Sequence, residues 1–137
     1  MSASTTTPKS PITCHVLDSS TGKPAEGVFV RLQILEMSKD GGPDIFHPLA
    51  KGTTNADGRL LDLLPPVGSE EAKKEDTDLK AGQTYKIVFK TKDYFDRTNR
   101  QSFYPWVEIA FTIENPKEHY HVPLLISPYS FTTYRGS

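Results

Sequence analysis

Short runs in which apolar and polar residues alternate one by one recur along the chain, and each is cut off by a cluster of Pro, Gly, Asn or Asp. A period of two sends successive side chains to opposite faces of an extended backbone, so such runs read as strands with one face on a core. The first begins at Ile12, with Ile12, Cys14 and Val16 pointing one way and Thr13, His15 and Leu17 the other. Residues 18–27 (DSSTGKPAEG) are dense in turn formers and end it. Val28, Val30, Leu32 and Ile34 form the inner row of a second strand over 28–35, followed by a loop at 38–43. A third strand, 45–54, is interrupted by Pro48; proline donates nothing to a ladder, so this strand belongs at an edge. Asn55, Ala56, Asp57 and Gly58 then make a hairpin turn, which throws Arg59 onto the first residue of a returning strand.

That strand continues over Leu60–Leu64 to the Pro65-Pro66 stop. The charge-mixed stretch within 67–80 (EEAKKEDTD) reads as a solvated, mobile insertion. Further strands fall at 84–90, 103–112, 119–125 and 130–135, with one or two helical turns at 91–99. Tyr94, Phe95 and Trp106 are expected to fill the interior. Seven to eight short strands and one short helix describe an all-β chain, an antiparallel β-sandwich. Its 11 prolines disfavour a helix bundle, and no βαβ alternation points to a parallel sheet. Residues 1–11 are a Ser/Thr-rich lead-in expected to be disordered, and 12–137 make one domain, long enough to bury a core.

Charge excludes several functions. Lys plus Arg total 16 against 17 acids, so no field draws in nucleic acid or an anionic membrane. One cysteine, Cys14, rules out an intrachain disulfide, and no apolar run approaches the roughly 20 residues of a membrane helix. With no charged and apolar leader, the expectation is a soluble, intracellular protein. Cytoplasmic is the first reading and peroxisomal the alternative, although no SKL-type ending is present.

Chemistry gathers on the faces turned away from the core. His119 and His121 are two apart, so on a strand their rings project from one face about 6.5 to 7 Å apart, opposite Tyr120, Val122 and Leu124. His15 occupies the equivalent face of its own strand, and His47 is the fourth histidine. Solvated surface positions are the plain explanation. The functional ones are proton transfer near neutral pH by converging imidazoles, or three histidines and a water on zinc. Arg59 is either a solvated strand start or a clamp for paired oxygen acceptors, and Arg135 invites the same two readings. Chain ends usually fray, yet 119–137 (HYHVPLLISPYSFTTYRGS) alternates to its close on Tyr134, Arg135, Gly136 and Ser137, so this end is expected to be ordered and used. There Ser137 offers a hydroxyl and a carboxylate to hold a water or orient a histidine. No GxSxG, P-loop, CxxC or HExxH occurs.

The segments CHVLD (14–18), TGKPA (21–25), NADGR (55–59), FYP (103–105), HYHVPLLISP (119–128) and YRGS (134–137), in this order, resemble the transthyretin-related family of 5-hydroxyisourate hydrolases. The resemblance covers nearly all of the chain from Ile12 onward. It implies a transthyretin-like, Greek-key β-sandwich assembled as a homotetramer, a dimer of dimers with sites in the channel between them. It also implies hydrolysis of 5-hydroxyisourate, the product of urate oxidation, without metal or organic cofactor. The family's catalytic positions fall on His15, His121 and Ser137, and substrate contacts on His15, Arg59, His121, Tyr134, Arg135 and Gly136. Carriers of apolar hormones share the fold, but they resemble this chain less: they have lysine at the position of His15 and lack the YRGS ending. The Ser/Thr-rich lead-in, the loop 38–46 and the insertion 67–80 depart from the compact family pattern.

Overall fold

The computed structural model describes residues 10–137, which form two sheets around one core. The first sheet contains β1 (Ile12–Asp18), β2 (Lys23–Pro24), β5 (Arg59–Leu60), β8 (Tyr120–Ser127) and β9 (Ser130–Thr133), strands being numbered in chain order. Its path runs β2-β1-β8-β9, and β5 pairs with β1 beside β2. The second sheet, β4-β3-β6-β7, consists of β3 (Phe29–Glu36), β4 (Ile45–Thr53), β6 (Thr84–Phe89) and β7 (Val107–Thr112), antiparallel throughout.

Alternation dictates which faces meet. Ile12, Cys14 and Val16 of β1 and Leu124 of β8 are 0% exposed, as are Val30, Leu32, Ile87 and Phe89 on the facing sheet. Burying each such side chain is worth about 1.5–3 kcal/mol, so the inward row fixes the register of every strand that carries one. Because the inward row is fixed, the outward row is fixed too, and His15 is on it. Proline at position 48 sits on edge strand β4, beside a register shift between Leu32 and Gln33 of β3.

Four expectations are corrected. The sandwich is not wholly antiparallel: β1 and β8 run parallel from Ile12↔Tyr120 to Asp18↔Ile126. They are distant in sequence, so no tight turn imposes opposite directions. There are two helices rather than one, α1 (Glu70–Glu75) and α2 (Thr91–Arg97). The first lies in the charged insertion, where the Ser69 hydroxyl accepts from the Ala72 N–H. Glu70 and Glu71 open that helix, Lys73 and Lys74 close it, and buried Ala72 anchors it, so charge placement here stabilises a helix. The strand expected to run through Leu64 stops at Leu60; Leu63 and Leu64 still enter the core. Lastly, of the three aromatics assigned to the interior only Phe95 is buried, while Trp106 is 45% exposed, its Nε1–H donating to Glu108. β7 starts after Pro105, which has no N–H for the ladder.

The expected lead-in lies outside the described residues except for Ser10 and Pro11. Ser10 is buried, and its hydroxyl accepts from the Leu64 N–H and donates to the Ile12 carbonyl. Among the described residues no helix is long and apolar enough to cross a membrane.

Candidate active site

Four segments contribute to a concavity on the outward face of the first sheet. β1 provides His15, half-buried, and in the ladder His15 lies opposite Arg59 of β5 on one side and Pro123 of β8 on the other. Arg59 is placed by the turn before it. The Gly58 N–H bonds to the Asn55 carbonyl at 2.8 Å, and the Asn55 side-chain oxygen accepts from the N–H groups of Asp57 and Arg59 at 2.9 and 3.0 Å. Gly58 has φ +73°, and a Cβ there would collide with the carbonyl oxygen of Val16. Only glycine fits this turn without strain, so the residue that follows it is delivered to the rim beside His15.

β8 provides His121, opposite Thr13 of β1. The His15 and His121 rings lie 6.4 Å apart between centroids, tilted by 32°. After β9 the chain continues alongside β8: the Gly136 N–H donates to the His121 carbonyl at 2.9 Å. Close approach is what selects glycine here, since a Cβ would stand 2.8 Å from Cδ2 of His121 and 2.9 Å from Cγ of Pro123. Tyr134, Arg135, Gly136 and Ser137 thereby close one wall of a hollow of about 360 Å³, whose other walls are His15, Arg59, His121 and Pro123. A larger hollow of about 440 Å³ adjoins it, sharing His121, Tyr134 and Arg135 but otherwise lined by Ile109, Phe111 and their neighbours at the β7 edge.

Electrostatics divide the labour. Burial pushes the His15 imidazole below its ordinary pKa, and the Arg59 charge pushes it the same way, against a weaker pull from Asp57. Both effects favour the neutral imidazole, the form that accepts a proton. Among the described residues Arg59 makes no ion pair, whereas Arg135 is engaged: its Nη2 donates to Glu118 at 2.8 Å and its guanidinium covers the Tyr120 ring at 4.4 Å. Hydrogen bonding to Arg135 keeps the Glu118 carboxyl below its usual pKa.

The seven residues to which the resemblance assigned roles, His15, Arg59, His121 and Tyr134–Ser137, line this one hollow. His47 does not; it pairs with Glu36 at 2.8 Å on β3 and β4. His119 is joined to the site through Thr13, whose hydroxyl lies 3.0 Å from Nε2 of His119 and 2.8 Å from Nδ1 of His121. Thr13 and Pro123 were not picked out beforehand, although Thr13 shares the outward row with His15. The zinc alternative has no assembled donor set: among the described residues no three His, Cys, Asp or Glu side chains are grouped so as to hold a metal ion.

A family profile described as HIUase/Transthyretin matches residues 12–136. The chain belongs to the HIUase/transthyretin family. A mouse protein named 5-hydroxyisourate hydrolase is 43% identical over 131 residues, covering 96% of this chain and 98% of that one. A Salmonella dublin protein of the same name is 41% identical over 126 residues, covering 92% and 80%. Among solved structures, 5-hydroxyisourate hydrolase from Klebsiella pneumoniae superposes with a TM-score of 0.65 at 36% identity, covering 92% of each chain. Sea bream transthyretin in complex with thyroxine gives 0.72 at 27% identity, covering 93% and 95%. Within the HIUase/transthyretin family this chain is therefore nearer in sequence to the hydrolases, and it is a hydrolase of that family, while both branches share its sandwich.

Proposed function

We propose that this chain hydrolyses 5-hydroxyisourate to 2-oxo-4-hydroxy-4-carboxy-5-ureidoimidazoline in urate breakdown. The observation that carries the reading is the meeting of His15, Arg59 and His121 in one hollow closed by Tyr134–Ser137. At about 360 Å³ it lies near the low end of the range for small-molecule sites. Opening a cyclic amide needs a deprotonated water, a stabilised oxyanion and a proton for the leaving nitrogen. Neutral His15 takes the proton from water as it attacks the carbonyl carbon, and the Ser137 hydroxyl orients that water. Arg59 donates to the carbonyl oxygen as it becomes an oxyanion. His121, in its protonated form, gives a proton to the ring nitrogen as the carbon–nitrogen bond breaks. Transfer from His15 to His121 through a water then restores both rings, which the 6.4 Å between their centroids accommodates. Tyr134, Arg135 and Gly136 shape the wall against which the flat substrate lies.

The same proposal includes one domain over 12–137, a homotetramer, and a cytoplasmic location with peroxisomal as the alternative; sedimentation and cell fractionation test the last two. No metal enters any step, so turnover is expected to survive a chelator. The decisive assay follows the ultraviolet decay of freshly generated 5-hydroxyisourate. His15→Asn and His121→Asn should each slow enzymatic turnover by about 10²–10⁴-fold, the usual worth of a positioned acid or base. Wild-type turnover in both variants, or in a chain lacking Arg135–Ser137, would sink the reading.

A further inference from the structure

Thr13 is buried at 1% exposure, yet its hydroxyl touches two imidazoles, Nε2 of His119 at 3.0 Å and Nδ1 of His121 at 2.8 Å. A hydroxyl has one proton, so it cannot donate to both rings. A neutral imidazole likewise has one N–H, so whatever occupies Nδ1 decides what Nε2 can do. We propose that Thr13 is a positioning residue for the reaction above: it accepts from Nδ1–H of His121 and donates to Nε2 of His119, leaving Nε2 of His121 to take up and release the proton.

The direction follows from what His121 must do. A ring that cycles between cation and neutral form keeps the same hydrogen bond to Thr13, with no turn of the hydroxyl, only if Nδ1 carries a proton in both states. An acceptor at Nδ1 supplies that condition. If the hydroxyl instead donated to Nδ1, every protonation of His121 would set two donors against each other until the hydroxyl proton swung away, so each turnover would have to rearrange the contact. The ladder reinforces the placement: Thr13 and His121 are direct partners across β1 and β8, so the hydroxyl and the ring are brought together by two backbones rather than by a loop. His119 is the necessary third member, since it gives the single hydroxyl proton somewhere to go, and its ring lies 6.4 Å from that of His121 at only 22° between planes. Burial of Thr13 keeps bulk water from replacing the bond readily.

This inference rests on His121 as the proton donor, and the test separates the two ideas. Thr13→Val keeps the β-branched shape and removes the hydroxyl; Thr13→Ser keeps the hydroxyl. Nitrogen-15 spectra of histidine-labelled protein should show neutral His121 as the Nδ1–H tautomer in the wild type and in Thr13→Ser, and a mixture in Thr13→Val. Turnover in Thr13→Val should fall about 10–100-fold in kcat with KM nearly unchanged, the usual loss when an orienting partner is removed, and Thr13→Ser should restore most of it. An Nε2–H tautomer in the wild type, or no change of tautomer in Thr13→Val, overturns the hydrogen-bond assignment. A changed tautomer with wild-type kcat in both Thr13→Val and His121→Asn overturns the role of His121, and with it the part of Thr13 in turnover.

Discussion

Replacing Gly136 by alanine tests the proposed site through one methyl group. Its Cβ would stand 2.8 Å from Cδ2 of His121 and 2.9 and 3.2 Å from Cγ and Cδ of Pro123. Carbon atoms rest at about 3.5–4.0 Å, so something must move by roughly 0.7 Å. The Pro123 ring has little freedom, and its strand is paired with β1 on one side and β9 on the other. His121 is held at Nδ1 by Thr13 at 2.8 Å. The methyl therefore either displaces the His121 ring or lifts the 134–137 wall, and either change lies within the proposed active site. Misplacement by about 1 Å can cost on the order of 10²-fold in rate, so kcat/KM should fall about 10–100-fold, or roughly 1.4–2.7 kcal/mol in the barrier. Gly136 does not occupy the left-handed region, so alanine adds no backbone strain there. The backbone bond at risk, Gly136 N–H to the His121 carbonyl, is worth about 0.5–1.5 kcal/mol, and the stiffer unfolded chain offsets about 0.4–1 of that. Thermal unfolding should thus stay close to wild type while ultraviolet assays of 5-hydroxyisourate decay show the loss. A folded Gly136→Ala protein with wild-type kcat/KM would refute the role given to this wall.

Gly58→Ala should behave in the opposite way, losing roughly 2–4 kcal/mol of stability in a urea titration, because φ is +73° and the methyl meets the Val16 carbonyl. Asp18 is 0% exposed and accepts from Arg100 at 2.6 Å and Tyr94 at 2.9 Å; Asp18→Ala strands both donors and should cost about 2–4 kcal/mol, less than a fully buried pair because Arg100 is partly exposed. Burial alone would raise the Asp18 pKa, but hydrogen bonds from Arg100, Ser20 and Tyr94 outweigh it and hold the carboxyl below its ordinary value. That contribution is therefore present above about pH 4 and lost as pH falls through the depressed pKa, so the gap between wild type and Asp18→Ala should narrow in acid unfolding curves. The His15 pKa is also depressed, by burial first and by the Arg59 charge second, so the limb of kcat/KM reporting its protonation should lie below pH 6.5, where a free imidazole titrates; Arg59→Gln, by removing a charge that lowers it, should move that limb upward. A limb that stays in place would separate Arg59 from the base.

Much of the molecule was legible because alternation is a direct record of burial. Ile12, Cys14 and Val16 announced both an inward row and, by subtraction, the outward position of His15. The Asn55–Gly58 turn placed Arg59 because its geometry admits few residues. Alternation is silent about strand direction, however, and so the parallel pairing of β1 with β8 could not be read from it. The α1 helix was obscured for a different reason: one buried alanine among six residues gives almost no periodic signal, and its stability comes from the Ser69 cap and the order of its charges. Thr13 looked like an ordinary outward residue, because a hydroxyl gains meaning only from the two rings brought to it.

The pairing of β1 with β8 also has a bearing on how the protein comes into being. Thr13 and His121 are 108 positions apart, so the histidines of the hollow remain strangers until almost the whole polypeptide has left the ribosome. Until then the strand that bears His15 presents an open edge, and a late, long-range closure of this kind is slow. Activity should consequently be the last property to appear during synthesis, after the antiparallel β3–β4 and β6–β7 pairs have had time to form.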